Sequence, residues 1–182
     1  MNWFVSALVT GVVAFSATNI DDVVFLTVFF SQTRRPWRVV LGQYIGFTAL
    51  VLVSLMGFFG GQLVPHGWLH LLGIVPITIG IKKLFEARGG RTLSVENGVL
   101  SVATITVVNG ADNIGIYAPL FAVSDSRRLM VLVSVLYVLL AVWCAVGYLI
   151  HNQKAIAHAL KRWGHWLVPV VLIALGVYIL LD

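Results

Sequence analysis

The chain has 182 residues, 59% of them hydrophobic and 10% charged, with a net charge of +5 and a mean hydropathy of +0.96. A soluble domain is nearer half apolar and a quarter charged, so these proportions exclude a water-soluble enzyme or nucleic-acid-binding domain and predict an all-α integral membrane protein. The one cysteine, Cys144, sits in an apolar run, which excludes a disulfide framework and reads as a small buried apolar residue.

A helix needs roughly 20 apolar residues to cross the hydrocarbon core. Six segments answer to that length: 3–31, 37–59, 66–84, 93–123, 128–149 and 165–181. The first ten residues carry no Lys or Arg, and the apolar stretch runs too long for a cleaved signal peptide. Within the first span, "SATNIDDVVF" sets Asp21 beside Asp22, the only charged residues between Trp3 and Phe30. A charge at membrane depth costs about 3 kcal/mol or more, so the pair calls for a function. In the third span, His66 and His70 of "PHGWLH" are one helical turn apart and read as interfacial residues beside Trp68. The cluster "KKLFEARGGR" (82–91) reads as a topology anchor.

The fourth span carries "VVNGADNIGIY" (107–117). After the fifth span comes the longest polar connection, about 150–163. His151, His158 and His165 recur there every seven residues. That is about 10.5 Å along a helix, too far to share a metal. With Lys154, Lys161 and Arg162 beside them, the segment reads as a basic amphipathic stretch on the inner leaflet. No phosphate loop is present, which argues against ATP-driven pumping by this chain.

Six spans alternate the connections between two sides. Arg34, Arg35, Arg38, Lys82, Lys83, Arg88, Arg91, Lys154, Lys161 and Arg162 fall on one side, against Arg127 and Arg128 on the other. The positive-inside rule makes the first side cytoplasmic, in the cell inner (plasma) membrane, with both termini extracytoplasmic.

Asn19-x-x-Asp22 recurs as Asn109-x-x-Asp112, an offset of 90 that also places Arg38 on Arg128. A second register, aligning Asp21 with Asp112, stays open. "PITIGIKKL" (76–84) and "PVVLIALGVYIL" (169–180) correspond loosely, each opening on Pro. The expected fold is therefore a single domain of six transmembrane helices arranged as two inverted three-helix repeats, about 1–91 and 92–182. Such repeats place a substrate site at their interface near the midplane.

Asn19 with Asp22, and Asn109 with Asp112, share a helix face at about 5–6 Å. Asp21 is rotated by about 100° from Asp22, so aiming both at one ion requires a helix break. A break at Thr18–Asn19 would also free backbone carbonyls, and Gly110 and Gly115 would ease one in the second motif. Asp21, Asp22, Asp112, Asn19, Asn109, Asn113 and Thr18 together offer only oxygen. That set suits hard divalent cations such as manganese, magnesium and calcium. No Lys or Arg lies in the interior of any span to compensate the carboxylates, so a cation from outside the chain is the simplest partner. Without the ion the carboxylates repel, and a proton on one of them relieves this. Asp21 is the candidate for that proton coupling.

On "ATNIDDVVFLTVFF" (17–30), "NGADNIGIYAPLF" (109–121) and, more weakly, "PITIGIKKL" (76–84), the chain resembles the cadmium resistance transporter family, the CadD-like branch of the lysine exporter superfamily. The resemblance covers nearly the whole chain. It implies efflux of cadmium or related divalent cations from the cytoplasm, with Asp21, Asp22 and Asp112 in the pathway. The cation is then substrate, and no cofactor is expected. Expected partners are the cation and membrane lipid, with no nucleic acid. A six-span bundle this thin is also compatible with a homodimer. Two rivals remain. An amino-acid exporter would need an intramembrane Arg, which is absent, or exposed helix N-termini. An intramembrane aspartyl protease would show GxGD, where this chain has "NIDD" and "NGAD".

Overall fold

The structure is a computed structural model, and it describes residues 3–20, 22–63, 65–85, 98–151 and 169–181. Asp21, Arg88, Arg91, Lys154, His158, Lys161, Arg162 and His165 lie outside the described residues, as do the ends of the expected fourth and sixth spans. The described residues form only helices and their connections.

α1 (Trp3–Asn19) and α2 (Asp22–Gln32) are two halves of one apolar stretch, bent by 61° where they meet. α3 (Pro36–Gly61) is one continuous helix, with Pro at its first position, where the missing N–H leaves no intrahelical bond unmade. α4 (His66–Leu69), a 3₁₀ turn (His70–Gly73) and α5 (Ile74–Phe85) follow. α6 (Val99–Asn109) and α7 (Ala111–Ala122) repeat the broken form, bent by 67°. α8 (Ser126–Ile150) begins on Asp125, whose carboxylate accepts the Arg128 backbone N–H at 2.7 Å. α9 (Pro169–Leu181) closes the chain.

Two of these helices, α3 and α8, are long and apolar enough to cross a membrane alone; counting each bent pair as one span raises the number to four. Residues 70–82 and 169–181 form shorter apolar helices. The expected six segments are thus helical where described, apart from Ile20, Gly98, Gly110 and Val123, while length and composition establish between two and four spans.

Large apolar side chains such as Leu52, Met56, Phe59, Met130, Val138 and Leu149 face outward. Asn19, Asp22, Gln43, Thr106 and Asn113 are buried. Where lipid is the solvent, polar groups have to find partners within the protein. The core joins Phe15, Phe47, Tyr117, Phe121, Leu132, Leu136 and Leu140, with Leu172 and Ile179 from α9.

Each long helix lies along the broken pair of the other half. On α3, Gly42 meets Val102, Gly46 meets Thr106, Gly57 meets Ala118 and Gly61 meets Ala122. The partner numbers rise together, so α3 runs parallel to α6–α7. A Cβ at Gly42 would stand 2.6 Å from the Val99 carbonyl oxygen, and one at Gly46 2.7 Å from that of Ala103. Only glycine allows this approach. α8 likewise runs parallel to α1–α2, with Leu132 and Val135 against Gly11 and Gly147 against Leu26. Two parallel neighbours in one chain require a returning segment between them. α5 lies on that return from α3 to α6, with Ile79 and Val75 against Gly115 of α7. Gly73 and Gly176 pack against each other, and Gly80 meets Pro169, so α5 and α9 are antiparallel.

Candidate functional site

The first break follows from side chains that satisfy the end of α1 locally. The Thr18 hydroxyl donates to the Ala14 carbonyl at 3.0 Å, and Asn19 Nδ2 donates to the Phe15 carbonyl at 2.9 Å. Thr and Asn compete with the helical ladder in this way. The carbonyl of Asn19 accepts a 2.8 Å bond from Trp143 Nε1 on α8. The sequence led us to expect freed carbonyls as oxygen ligands here, but the one at Asn19 is taken by an indole. α2 then restarts with Asp22 in its first turn.

The second break is tighter. Gly110 N donates to the Thr106 carbonyl at 2.8 Å, and Asn113 N donates to the Gly110 carbonyl at 3.0 Å. A Cβ on Gly110 would press on Leu50 and stand 2.9 Å from the Thr106 carbonyl oxygen, so the position needs glycine for space. Gly115, expected to help the break, lies within α7 against Ile79. Asp112 occupies the first turn of α7, as Asp22 does in α2. Both aspartates therefore sit at helix N-termini, where unpaired N–H groups and the helix dipole favour negative charge. Compensation for these charges is partly within the chain, which a search for Lys and Arg alone misses.

The matching ends also bear on the repeat register. α1 and α6 stop at Asn19 and Asn109, and both following helices have their aspartate in the first turn at the offset of 90.

The two breaks meet. Asn109 Nδ2 donates to Asp22 Oδ1 at 2.6 Å, across 87 residues of chain. Asn113 Nδ2 faces Asn19 Oδ1 at 3.4 Å. Asn19 and Asn113 are each 1% exposed and Asp22 5%. Asn113 Oδ1 is buried with no hydrogen-bond partner. Asp112 is half-buried beside them in sequence. Among the described residues no three of His, Cys, Asp or Glu cluster as a metal site; Asp21, the third expected carboxylate, lies outside those residues. The Thr18 hydroxyl is engaged with Ala14 and, at 2.7 Å, with the hydroxyl of Tyr117.

Tyr117 and Trp143 escaped the sequence reading. Tyr117 is fully buried, and its hydroxyl also accepts from Asn19 Nδ2 at 2.9 Å. Its spacing of four from Asn113 puts both on one face of α7 and was a usable signal. Nothing local marks Trp143 among the aromatic residues of α8. Of the weaker candidates, His151 bonds the Tyr148 carbonyl and stacks on that ring at 5.3 Å. His70 opens the 3₁₀ turn, and the side chain of His66 is outside the description.

Two polar motifs, each at a helix break and each contributed by one half, thus form a single buried junction. Residues 15–182 match the cadmium resistance transporter family, a stretch that contains both motifs. The chain belongs to the cadmium resistance transporter family. It is accordingly a membrane protein that transports, in a family devoted to metal resistance. Comparison with curated proteins and with solved structures finds no match for this transporter.

Proposed function

We propose that this transporter exports a divalent metal cation, cadmium by its family, from the cytoplasm across the plasma membrane in exchange for protons. The observation that carries the reading is the 2.6 Å bond from Asn109 to Asp22, because it brings together two motifs that the sequence separates by 90 residues. The ion would bind at this junction, held by the carboxylates of Asp22, Asp112 and Asp21 and by amide oxygens of Asn19, Asn109 and Asn113. Thr18 would support the site through Tyr117, and Asp21 would carry the exchanged proton.

The architecture proposed is six spans in two inverted halves. Its support is the parallel packing of α3 on α6–α7 and of α8 on α1–α2, the reciprocal arrangement that an inverted repeat generates. With ten of twelve basic residues on one side, both termini would face outward. The amino-acid exporter gains one point, since both breaks create helix N-termini. Each already holds an aspartate, however, which would repel a substrate carboxylate.

The test is a titration of purified protein with cadmium, zinc, manganese, magnesium and calcium, followed by flux in reconstituted vesicles. Carboxylate ligation requires deprotonation, so metal affinity should fall as pH drops from about 8 to 6. Flux should also follow an imposed proton gradient with the membrane potential clamped. Binding indifferent to pH together with flux indifferent to the gradient would reject exchange in favour of a uniporter. Absence of metal binding would reject the site.

A further inference from the structure

We infer that Tyr117 is a positioning residue of this site: its hydroxyl orients the amide of Asn19, and through Asn19 it makes Asn113 present a bare carbonyl oxygen to the ion. The inference rests on the carboxylate-site reading above.

The argument is a count of hydrogens. Asn19 Nδ2 carries two, and three oxygens surround it: Phe15 O at 2.9 Å, Thr18 Oγ1 at 2.7 Å and the Tyr117 hydroxyl at 2.9 Å. Thr18 Oγ1 and the Tyr117 hydroxyl are 2.7 Å apart, so one donates to the other. With Thr18 donating to Ala14 O and Tyr117 to Thr18, both hydroxyl hydrogens are spent, and Phe15 O, Thr18 Oγ1 and the Tyr117 oxygen can each only accept from Asn19 Nδ2. Turning the Asn19 amide over would set its oxygen against the Phe15 carbonyl and against the Tyr117 and Thr18 oxygens, whose hydrogens point elsewhere, so Tyr117 shares in fixing the amide. Its oxygen therefore faces the other way, toward Asn113 Nδ2 at 3.4 Å. Turning Asn113 over would in turn bring two carbonyl oxygens face to face. The relay thus runs Tyr117 to Asn19 to Asn113. It ends on Asn113 Oδ1, a buried acceptor without a donor on a side chain 1% exposed. A carbonyl oxygen kept free of donors is what a hard divalent cation takes as ligand.

The ring of Tyr117 is held independently of its hydroxyl. It stacks on Phe121 at 6.2 Å and 20°, and meets Phe47 edge-on at 6.2 Å and 70°. Tyr117→Phe keeps that packing and removes only the orienting group.

The experiment is a double-mutant cycle on the purified full-length protein, read by cadmium titration and by thermal unfolding. Tyr117→Phe should weaken cadmium binding about tenfold, the scale of one net hydrogen bond. Asn113→Asp offers oxygen at both ends and needs no orienting, so in that background Tyr117→Phe should cost less than about twofold. The loss of thermal stability from Tyr117→Phe should be alike in both backgrounds. Wild-type affinity in Tyr117→Phe, or a penalty undiminished by Asn113→Asp, would overturn the relay. Asp22→Asn, titrated alongside, separates the two claims: wild-type binding there removes the carboxylate site itself, whereas lost binding with an undiminished Tyr117 penalty removes only the relay. Thr18→Val takes away the acceptor of the Tyr117 hydroxyl. It reads the same suppression by Asn113→Asp if Tyr117→Phe fails to fold.

Discussion

At the first break, Asn19 is met mainly by side chains: Trp143 takes its backbone carbonyl, and Tyr117 and Thr18, with the Phe15 carbonyl, surround its amide nitrogen. At the second, Asn109 reaches out to Asp22, while the backbone turns on Gly110 and bonds to itself at Thr106 and Asn113. The flanking packing differs in the same sense. α3 lies backbone-to-backbone on α6–α7 through Gly42, Gly46, Gly57 and Gly61. α8 lies on α1–α2 through Leu132, Val135 and Leu26, side chains that hold the backbones apart. One break is thus held by directional polar contacts and the other by steric closeness. Polar contacts can be exchanged for an ion's at small cost, whereas interlocked backbones cannot slide without losing their dispersion contacts. On this difference the first break is expected to be the more adjustable and the second the more rigid.

The largest expected effect tests whether both halves serve one ion. Asp22→Asn and Asp112→Asn should each reduce metal transport in reconstituted vesicles by roughly 100-fold or more, the scale of an uncompensated buried charge. Protein yield and thermal stability should hold. Wild-type flux in either variant would confine the site to one break and end the comparison between them.

Steric substitution should strike the second break. Gly46→Val places a side chain where a Cβ already stands 2.7 Å from the Ala103 carbonyl oxygen. It should destabilise the fold by about 1–3 kcal/mol in thermal unfolding. Gly60, on the same helix, has nothing within 4 Å of an added Cβ, so Gly60→Ala should stay within about 0.5 kcal/mol of wild type. Equal effects at the two positions would mean that the α3 contact does not anchor the second break.

The smallest effect belongs to a polar change at the first break. Trp143→Phe removes the hydrogen bond to Asn19 but keeps an aromatic ring against Phe15, now 5.3 Å away at 87°. It should cost about 1 kcal/mol of stability. It should also alter metal affinity more than Gly60→Ala does, since it loosens the residue that faces Asn113. An unchanged cadmium titration would show that the indole only packs.

Much of this arrangement was legible beforehand. Charge density and hydropathy marked a membrane protein, because uncompensated charge is costly in lipid and therefore scarce. The interrupted first and fourth spans were legible from Asn and Asp inside apolar runs, and the offset of 90 proved to be the spacing of the two breaks. The helix N-terminal placement of Asp22 and Asp112 was not, because a break located only to within a residue or two leaves the aspartates' position in the turn undetermined.

What the sequence alone determined is where polar groups interrupt the apolar spans and that two such interruptions are alike. Those are properties of composition along the chain, and local physical chemistry reads them directly. Only the tertiary structure decided that Asn109 bonds Asp22, that Trp143 takes the Asn19 carbonyl, and that Tyr117 stands between the motifs. These contacts join residues 87 to 124 positions apart. They exist because α3 and α8 each pack along the other half's broken helix, a choice made by glycine and leucine contacts and not by the charged residues themselves.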